Sequence, residues 1–313
     1  MKFEQLEALL EAVGKEEDGG AAVLASSSLN DNFALIAFLE EQKKADLLPP
    51  DRKDLPEQVK KLFAKRLLHD GGAFWTLFSG MTKCHQEIEG AGLIALDKEA
   101  AEYIAAEQTK AGYRPLLRAG NETETENILR GMLFNGFCRV RIYKSGCPYF
   151  EVSIPDVIEL PQNPAEGADL RFHAIRFLQE IRRGVTPEIL LEKERTMLRV
   201  AAGADLYLPG KHVENGNEKS LTHQCIRLHQ GDKGQNLLPV YSAPQKLVQS
   251  PDFIKMQKED AAWGVIRSNM AGLCRYCKAS GGVIEGIVID LHDFRLILPM
   301  PKMLQALSLN GQA

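Results

Sequence analysis

The stretch GGVIEGIVIDLHDFRLILPMPKML, residues 281–304, decides the fold because the chain carries a near echo of it, NGFCRVRIYKSGCPYFEVSIPDVIEL, at residues 135–160. Both leave a glycine turn, run through an apolar strand, a short turn and a second strand, and reach a proline that opens another apolar segment. Period-two alternation around a tight turn predicts a hairpin in each. The earlier hairpin has the longer turn, KSGCP against LHD.

Working outward, the elements before each hairpin also match. In DLPEQVKKLFAKRLLHDGGAFWTLFSG (54–80), Asp54 is a helix cap, Pro56 falls in the first turn, and Val59, Leu62, Phe63 and Leu67 form an apolar stripe. Gly71 and Gly72 stop that helix before the strand FWTLF. VTPEILLEKERTMLRVAAGADLYLPGK (185–211) repeats the plan with Thr186 as cap and Gly203 as stop, although Lys193 and Glu194 stand where the first copy has Leu62 and Phe63. EGAGLIAL (89–96) and the helix DKEAAEYIAAEQTK parallel QNLLPVYS (235–242) and the helix APQKLVQSPDFIKMQ. YRPLLRA (113–119) leads into a helix with an Asn121/Glu124 capping box, as WGVIRS (263–268) leads into NMAGLCRYCKASGG.

Helix, strand, helix, hairpin is a common local order in α+β chains. The agreement of the helix stops and the shared hairpin-then-proline favour tandem duplication instead. The expected organisation is α+β: a helical N-terminal segment (1–53), a first domain (54–163), a linker helix (164–184) and a second domain (185–313), each domain a mixed sheet packed with helices. The N-terminal segment contains FEQLEALLEAVG and NDNFALIAFLEEQKKADLL, both amphipathic, with Asn30 or Asp31 capping the second. The linker helix carries Leu170, Ile175, Phe177, Leu178 and Ile181 and is expected to pack between the copies.

A chain of 313 residues suits two modest cores. Its 44% hydrophobic and 26% charged residues are those of an ordinary globular protein. A net charge of -4, with no basic stripe, disfavours nucleic acid and anionic lipid as partners. Without a secretory signal or an 18-residue apolar run, the cytoplasm is the expected location. Six sparse cysteines do not form a disulfide framework and read as reduced thiols.

In the second copy, ADLYLPGKHV, LLPVYSAPQKL and GGVIEGIVIDLHDFRLILPMPKMLQAL together resemble the N-terminal domain of the SseB family, bacterial proteins named for an enhanced serine sensitivity phenotype. The elements that carry the likeness are Tyr207 to Pro209, Leu238 to Ser242 and Gly286 to Leu291. Asp290 and Leu291 depart from the family's usual Asn-Pro. If that asparagine serves a ligand, a carboxylate changes its preference; if it serves only the turn, Asp does nearly as well. The first copy is then a diverged repeat. The resemblance implies a fold and brings no established enzymatic activity.

Several groups are candidate sites. Cys274-Arg-Tyr-Cys277 has redox or zinc spacing, yet Met270, Leu273, Cys274 and Cys277 lie on one helical stripe, which reads as core. His223, His229 and His292 lack ligand spacing, and no metal or cofactor is implied. Arg139 and Arg141 share one strand face and could hold an anion or an acidic segment, unless Glu151 pairs with them across the hairpin. Tyr207, Tyr241, Trp263 and Asp290 at strand ends could line a groove, with core the competing fate of Trp263. No nucleophile elbow, phosphate loop or dinucleotide fingerprint is present.

The functional expectation is a non-enzymatic binding or adaptor module that engages a protein partner or small ligand through a cleft between the copies, with homodimerisation possible. The alternative is a cysteine-dependent enzyme or accessory subunit in sulfur or amino-acid metabolism.

Overall fold

The computed structural model of the chain describes residues 28–70, 73–158, 166–215, 218–223, 226–230 and 233–311, with side chains left aside at 51, 68–70, 122, 123 and 212–233. The expected helix FEQLEALLEAVG and most of the turn-rich segment after Leu160 lie outside these residues. The chain divides into two compact units: the described residues 28–80 and 85–158 form unit 1, and residues 81–84 and 166–311 form unit 2. The fold is α+β, with mixed sheets packed against helices.

Unit 1 opens with α1 (Leu29–Lys44) and α2 (Leu55–Asp70), which pack on each other. The cap of α1 is Ser28, whose hydroxyl accepts from the Asp31 backbone N-H at 3.1 Å, so the helix begins earlier than the expected Asn30 or Asp31 cap. A serine three residues before an aspartate offers the first turn an acceptor that Asp31, already inside the helix, does not. Phe33 of α1 and Phe63 of α2 meet Phe150 with ring centroids 5.3 to 5.6 Å apart. The N-terminal helix is therefore built into unit 1 and is not a separate segment.

The sheet of unit 1 contains β1 (Phe74–Ser79), β2 (Gly92–Ala95), β3 (Pro115–Gly120), β4 (Arg139–Tyr143) and β5 (Phe150–Ser153) in the order β3-β1-β2-β4-β5. Only the β2–β4 pair is parallel; β1 runs antiparallel to β2 and β3, and β4 to β5. α3 (Lys98–Lys110) connects β2 to β3, and α4 (Glu122–Phe134) connects β3 to β4. All four residues of β2 are buried, as expected of a central strand covered on both faces. Glu124 Oε2 accepts from the Asn121 backbone N-H at 3.2 Å, one half of the expected capping box on α4.

Unit 2 begins with α5 (Ala168–Arg183) and α6 (Pro187–Gly203). The strands are β6 (Asp205–Asn215), β7 (Glu218–His223), β8 (Ile226–Gln230), β9 (Lys233–Val240), β10 (Gly264–Asn269), β11 (Gly286–Ile289) and β12 (Leu296–Pro299). Two ladders, β10-β6-β7 and β12-β11-β9-β8, are joined by an antiparallel bridge between Tyr207 and Tyr241. Across that bridge the order β10-β6-β9-β11-β12 has the same senses as β3-β1-β2-β4-β5, with β9 and β11 as the parallel pair. β7 and β8 are additional strands between β6 and β9, and the sequence reading had not anticipated them.

The expected single helix after β9 is two, α7 (Pro244–Val248) and α8 (Pro251–Glu259). Pro251 has no N-H to continue α7, and Ser250 restarts the chain by capping Phe253 N at 3.3 Å. α9 (Met270–Ala279) and α10 (Met300–Leu309) complete the unit. α5, expected to pack between the copies, places Leu170, Ala174, Ile175 and Phe177 in the core of unit 2 with Met197, Leu198 and Ala201 of α6. Cys274 and Cys277 lie in that core beside Met270 and Leu273, buried on one stripe of α9.

Candidate functional site

Where two neighbouring parallel strands end and their chains leave in different directions, an open sheet leaves a crevice beyond their carboxyl ends. Unit 2 has such a crevice of about 170 Å³ beyond β9 and β11, lined by Tyr241, Lys246, Ser250, Asp290, His292 and Asp293 among others. Its floor is a buried hydrogen-bond chain. Ser242 donates to Asp290 twice, from its backbone N to Oδ1 at 3.0 Å and from Oγ to Oδ2 at 2.5 Å. Arg171 Nη1 in turn donates to Ser242 Oγ at 3.0 Å and to the Glu166 carbonyl at 2.7 Å.

The local sequence explains this geometry. Asp290 ends β11 with φ 47°, a left-handed conformation that Asp and Asn tolerate better than other non-glycine residues. Its carbonyl accepts from Asp293 and Arg295, closing the turn into β12. Asp290 makes the turn, and its carboxylate accepts from Ser242. Burial pushes the Asp290 carboxyl above its usual range, while the Ser242 donors and Lys246 pull it down. Burial pushes the Arg171 guanidinium down to about 10, while Asp290 and Asp293 pull it up. Ser242 bridges the two groups, accepting from the guanidinium and donating to the carboxylate.

Around this floor, Lys246 pairs with Asp293, and His292 Nε2 lies 2.9 Å from Asp252. Tyr207 donates to Glu166 Oε2 at 2.5 Å, and its phenol is pushed up to about 12 by burial and by that carboxylate. Tyr207, Tyr241, Leu247 and Phe253 form an apolar cluster with Trp263 half-buried against it. Of the four residues expected to line a groove, Tyr241 and Asp290 line the crevice; Tyr207 and Trp263 support its wall.

Unit 1 has the same latch with the partners exchanged. Asp97, after β2, accepts from Ser145 N at 2.9 Å and Ser145 Oγ at 2.5 Å, and also caps α3 through Ala100 N at 2.8 Å. Burial pushes this carboxyl up, but the Ser145 and Ala100 donors and Lys144 hold it below the usual range. The serine is on the β9 side in unit 2 and on the β4 side in unit 1. Neither position carried a sequence signal beyond a polar residue after a strand.

Arg139 and Arg141 lie elsewhere in unit 1 and pair across the hairpin. Arg139 Nη1 is 2.6 Å and Arg141 Nε 2.9 Å from Glu151, and Arg141 Nη2 is 2.7 Å from Glu89. Burial pushes the Arg141 guanidinium down, but the hydrogen bonds it donates to Glu151, Glu89 and Tyr143 hold it above its ordinary value. These cations are engaged within the sheet.

Chemically, the latches hold and orient; they are not arranged to attack. Ser242 is fully buried and hydrogen-bonded to a carboxylate and a guanidinium, without an imidazole in its bonding. Cys84 is pushed up to about 12 and Cys274 is raised, both by burial, the reverse of an activated thiol. Among the described residues no cluster of His, Cys, Asp and Glu could hold a metal ion, and no helix is long and apolar enough to cross a membrane. The side chains of His223 and His229 lie outside the described residues. The chain matches no protein-family model, no curated protein and no solved structure.

Proposed function

We propose that this chain is a tandem pair of SseB-like repeats acting as a non-enzymatic binding or adaptor module in the bacterial cytoplasm, engaging a small ligand or a protein partner. The observation that carries the reading is the recurrence, in both units, of one strand order with a single central parallel pair whose carboxyl ends are tied by a serine–aspartate latch. A framework that fixes a crevice without an activated nucleophile suits recognition better than turnover. Burial and a raised thiol pKa count against Cys84 and Cys274 as nucleophiles in the cysteine-enzyme alternative.

Native mass spectrometry of the full chain purified from a bacterial cytoplasm, compared with the denatured chain, tests this reading. A co-purifying small molecule or protein in stoichiometric amount supports it. Rapid alkylation of Cys138 or Cys147 in the folded protein, accompanied by turnover of a thiol-dependent substrate, overturns it.

A further inference from the structure

A cleft of about 420 Å³ lies in unit 1 between the first turns of α3 and the β4–β5 hairpin, within the range of about 300–1,000 Å³ typical of small-molecule sites. Its walls include three tyrosines, Tyr103, Tyr143 and Tyr149. Tyr103 is 67% and Tyr149 48% exposed, so aromatic surface that normally seeks burial stands open along one cleft.

One wall is preorganised. The Tyr143 and Tyr149 rings are 5.0 Å apart and tilted by 33°, and the Arg141 guanidinium sits 5.0 Å from the Tyr149 ring centroid. Arg141 is itself fixed by Glu89 and Glu151, which makes the pair of rings a braced platform. Tyr103, from α3, supplies the opposite wall. The charged side chains lining the cleft are one carboxylate, Glu99, and one ammonium, Lys144; among the described residues neither takes part in an ion pair. Lys144 does contribute to lowering the nearby Asp97 carboxyl, which is already engaged by Ser145 and Ala100.

We propose that this cleft binds a small zwitterion bearing a planar aromatic ring, of which a free aromatic α-amino acid is the simplest example. The ring lies against the tyrosines, the carboxylate meets Lys144, and the ammonium meets Glu99. One charge of each sign beside aromatic walls complements such a ligand, whereas a purely anionic or cationic aromatic would leave one lining charge opposed. The proposal rests on the binding-module reading and names a ligand class for one of its sites.

Isothermal titration calorimetry of the full chain with L-tryptophan, tryptamine, indole-3-propionate and L-leucine tests it. Saturable binding of L-tryptophan is expected, with tryptamine and indole-3-propionate each about 10-fold weaker for want of one charged contact. Tyr103→Ala and Tyr149→Ala should each lower affinity about 3- to 10-fold. Lys144→Met should bring L-tryptophan down to about the affinity of tryptamine without weakening tryptamine itself, a pattern that loss of folding cannot produce. Absence of saturable L-tryptophan binding in the millimolar range overturns the proposal, and so does L-leucine binding as tightly as L-tryptophan. A different molecule found on the native protein would leave the binding-module reading intact while removing this ligand class.

Discussion

Gly167 packs so closely on Ser242 that a Cβ at Gly167 would overlap the Ser242 carbonyl oxygen, and Gly167 also has φ 68°. Gly184, at the other end of α5, has a similar φ of 76° but open space around it. Gly184→Ala should cost about 1 kcal/mol, the ordinary penalty of a left-handed alanine. Gly167→Ala should cost clearly more, because the start of α5 must also retreat from the latch. Urea denaturation of the two variants checks the ordering; equal losses would mean that the close approach has no energetic weight.

Asp290→Ala leaves both Ser242 donors without their acceptor and removes the carboxylate that Arg171 reaches through the Ser242 hydroxyl, and stranding buried donors in this way costs about 1–3 kcal/mol for each group left unsatisfied. Asp290→Asn keeps the turn and an acceptor, and should cost less. Adding Arg171→Met to Asp290→Ala should recover part of the loss, giving a coupling energy that a double-mutant cycle on unfolding free energies measures.

His85 in unit 1 is pushed down to about 4 by burial, with Arg118 adding repulsion. Between that value and 6.5 the unfolded chain takes up a proton that the folded one refuses, so stability rises with pH through this window. It is fully present above the window and lower by about 3 kcal/mol below it. Urea midpoints measured across the window should show this slope in the native chain and a reduced slope in His85→Leu.

Cys138 is exposed, whereas Cys84, Cys274 and Cys277 are buried. Iodoacetamide followed by peptide mapping should label Cys138 in the folded protein and the other three only after denaturation. Fast native labelling of Cys274 or Cys277 would show that α9 opens readily.

The sequence made the strand and helix order legible because apolar runs, helix stops and hairpin turns are local signals. Tyr241 and Asp290 could be named as site residues since both stand at strand ends, where side chains meet a crevice. Arg171 could not: an arginine in an amphipathic helix reads as solvent-facing, and its bonds to Ser242 and to the Glu166 carbonyl come from tertiary packing. Ser242, Ser145 and Asp97 look like ordinary turn residues until the parallel pairing brings them together. β7 and β8 escaped notice because EKSLTH and IRLHQ have little apolar content, and their pairing with β6 and β9 supplies what composition does not. Tyr103 sits among Glu and Ala on a helix, so its place beside Tyr149 depends on tertiary packing.

The lone parallel pair at the centre of each unit bears on the order of assembly. Gly92 finds Val140, and Leu237 finds Gly286, only after an intervening strand and its helices have been spanned. Local hairpins and helices can form before that long loop closes, but the central ladder cannot. Closure of this pair, like that of the similarly distant β1–β3 and β6–β10 pairings, therefore follows the local elements, and the serine–aspartate latches, which join its two ends, form only once it has closed.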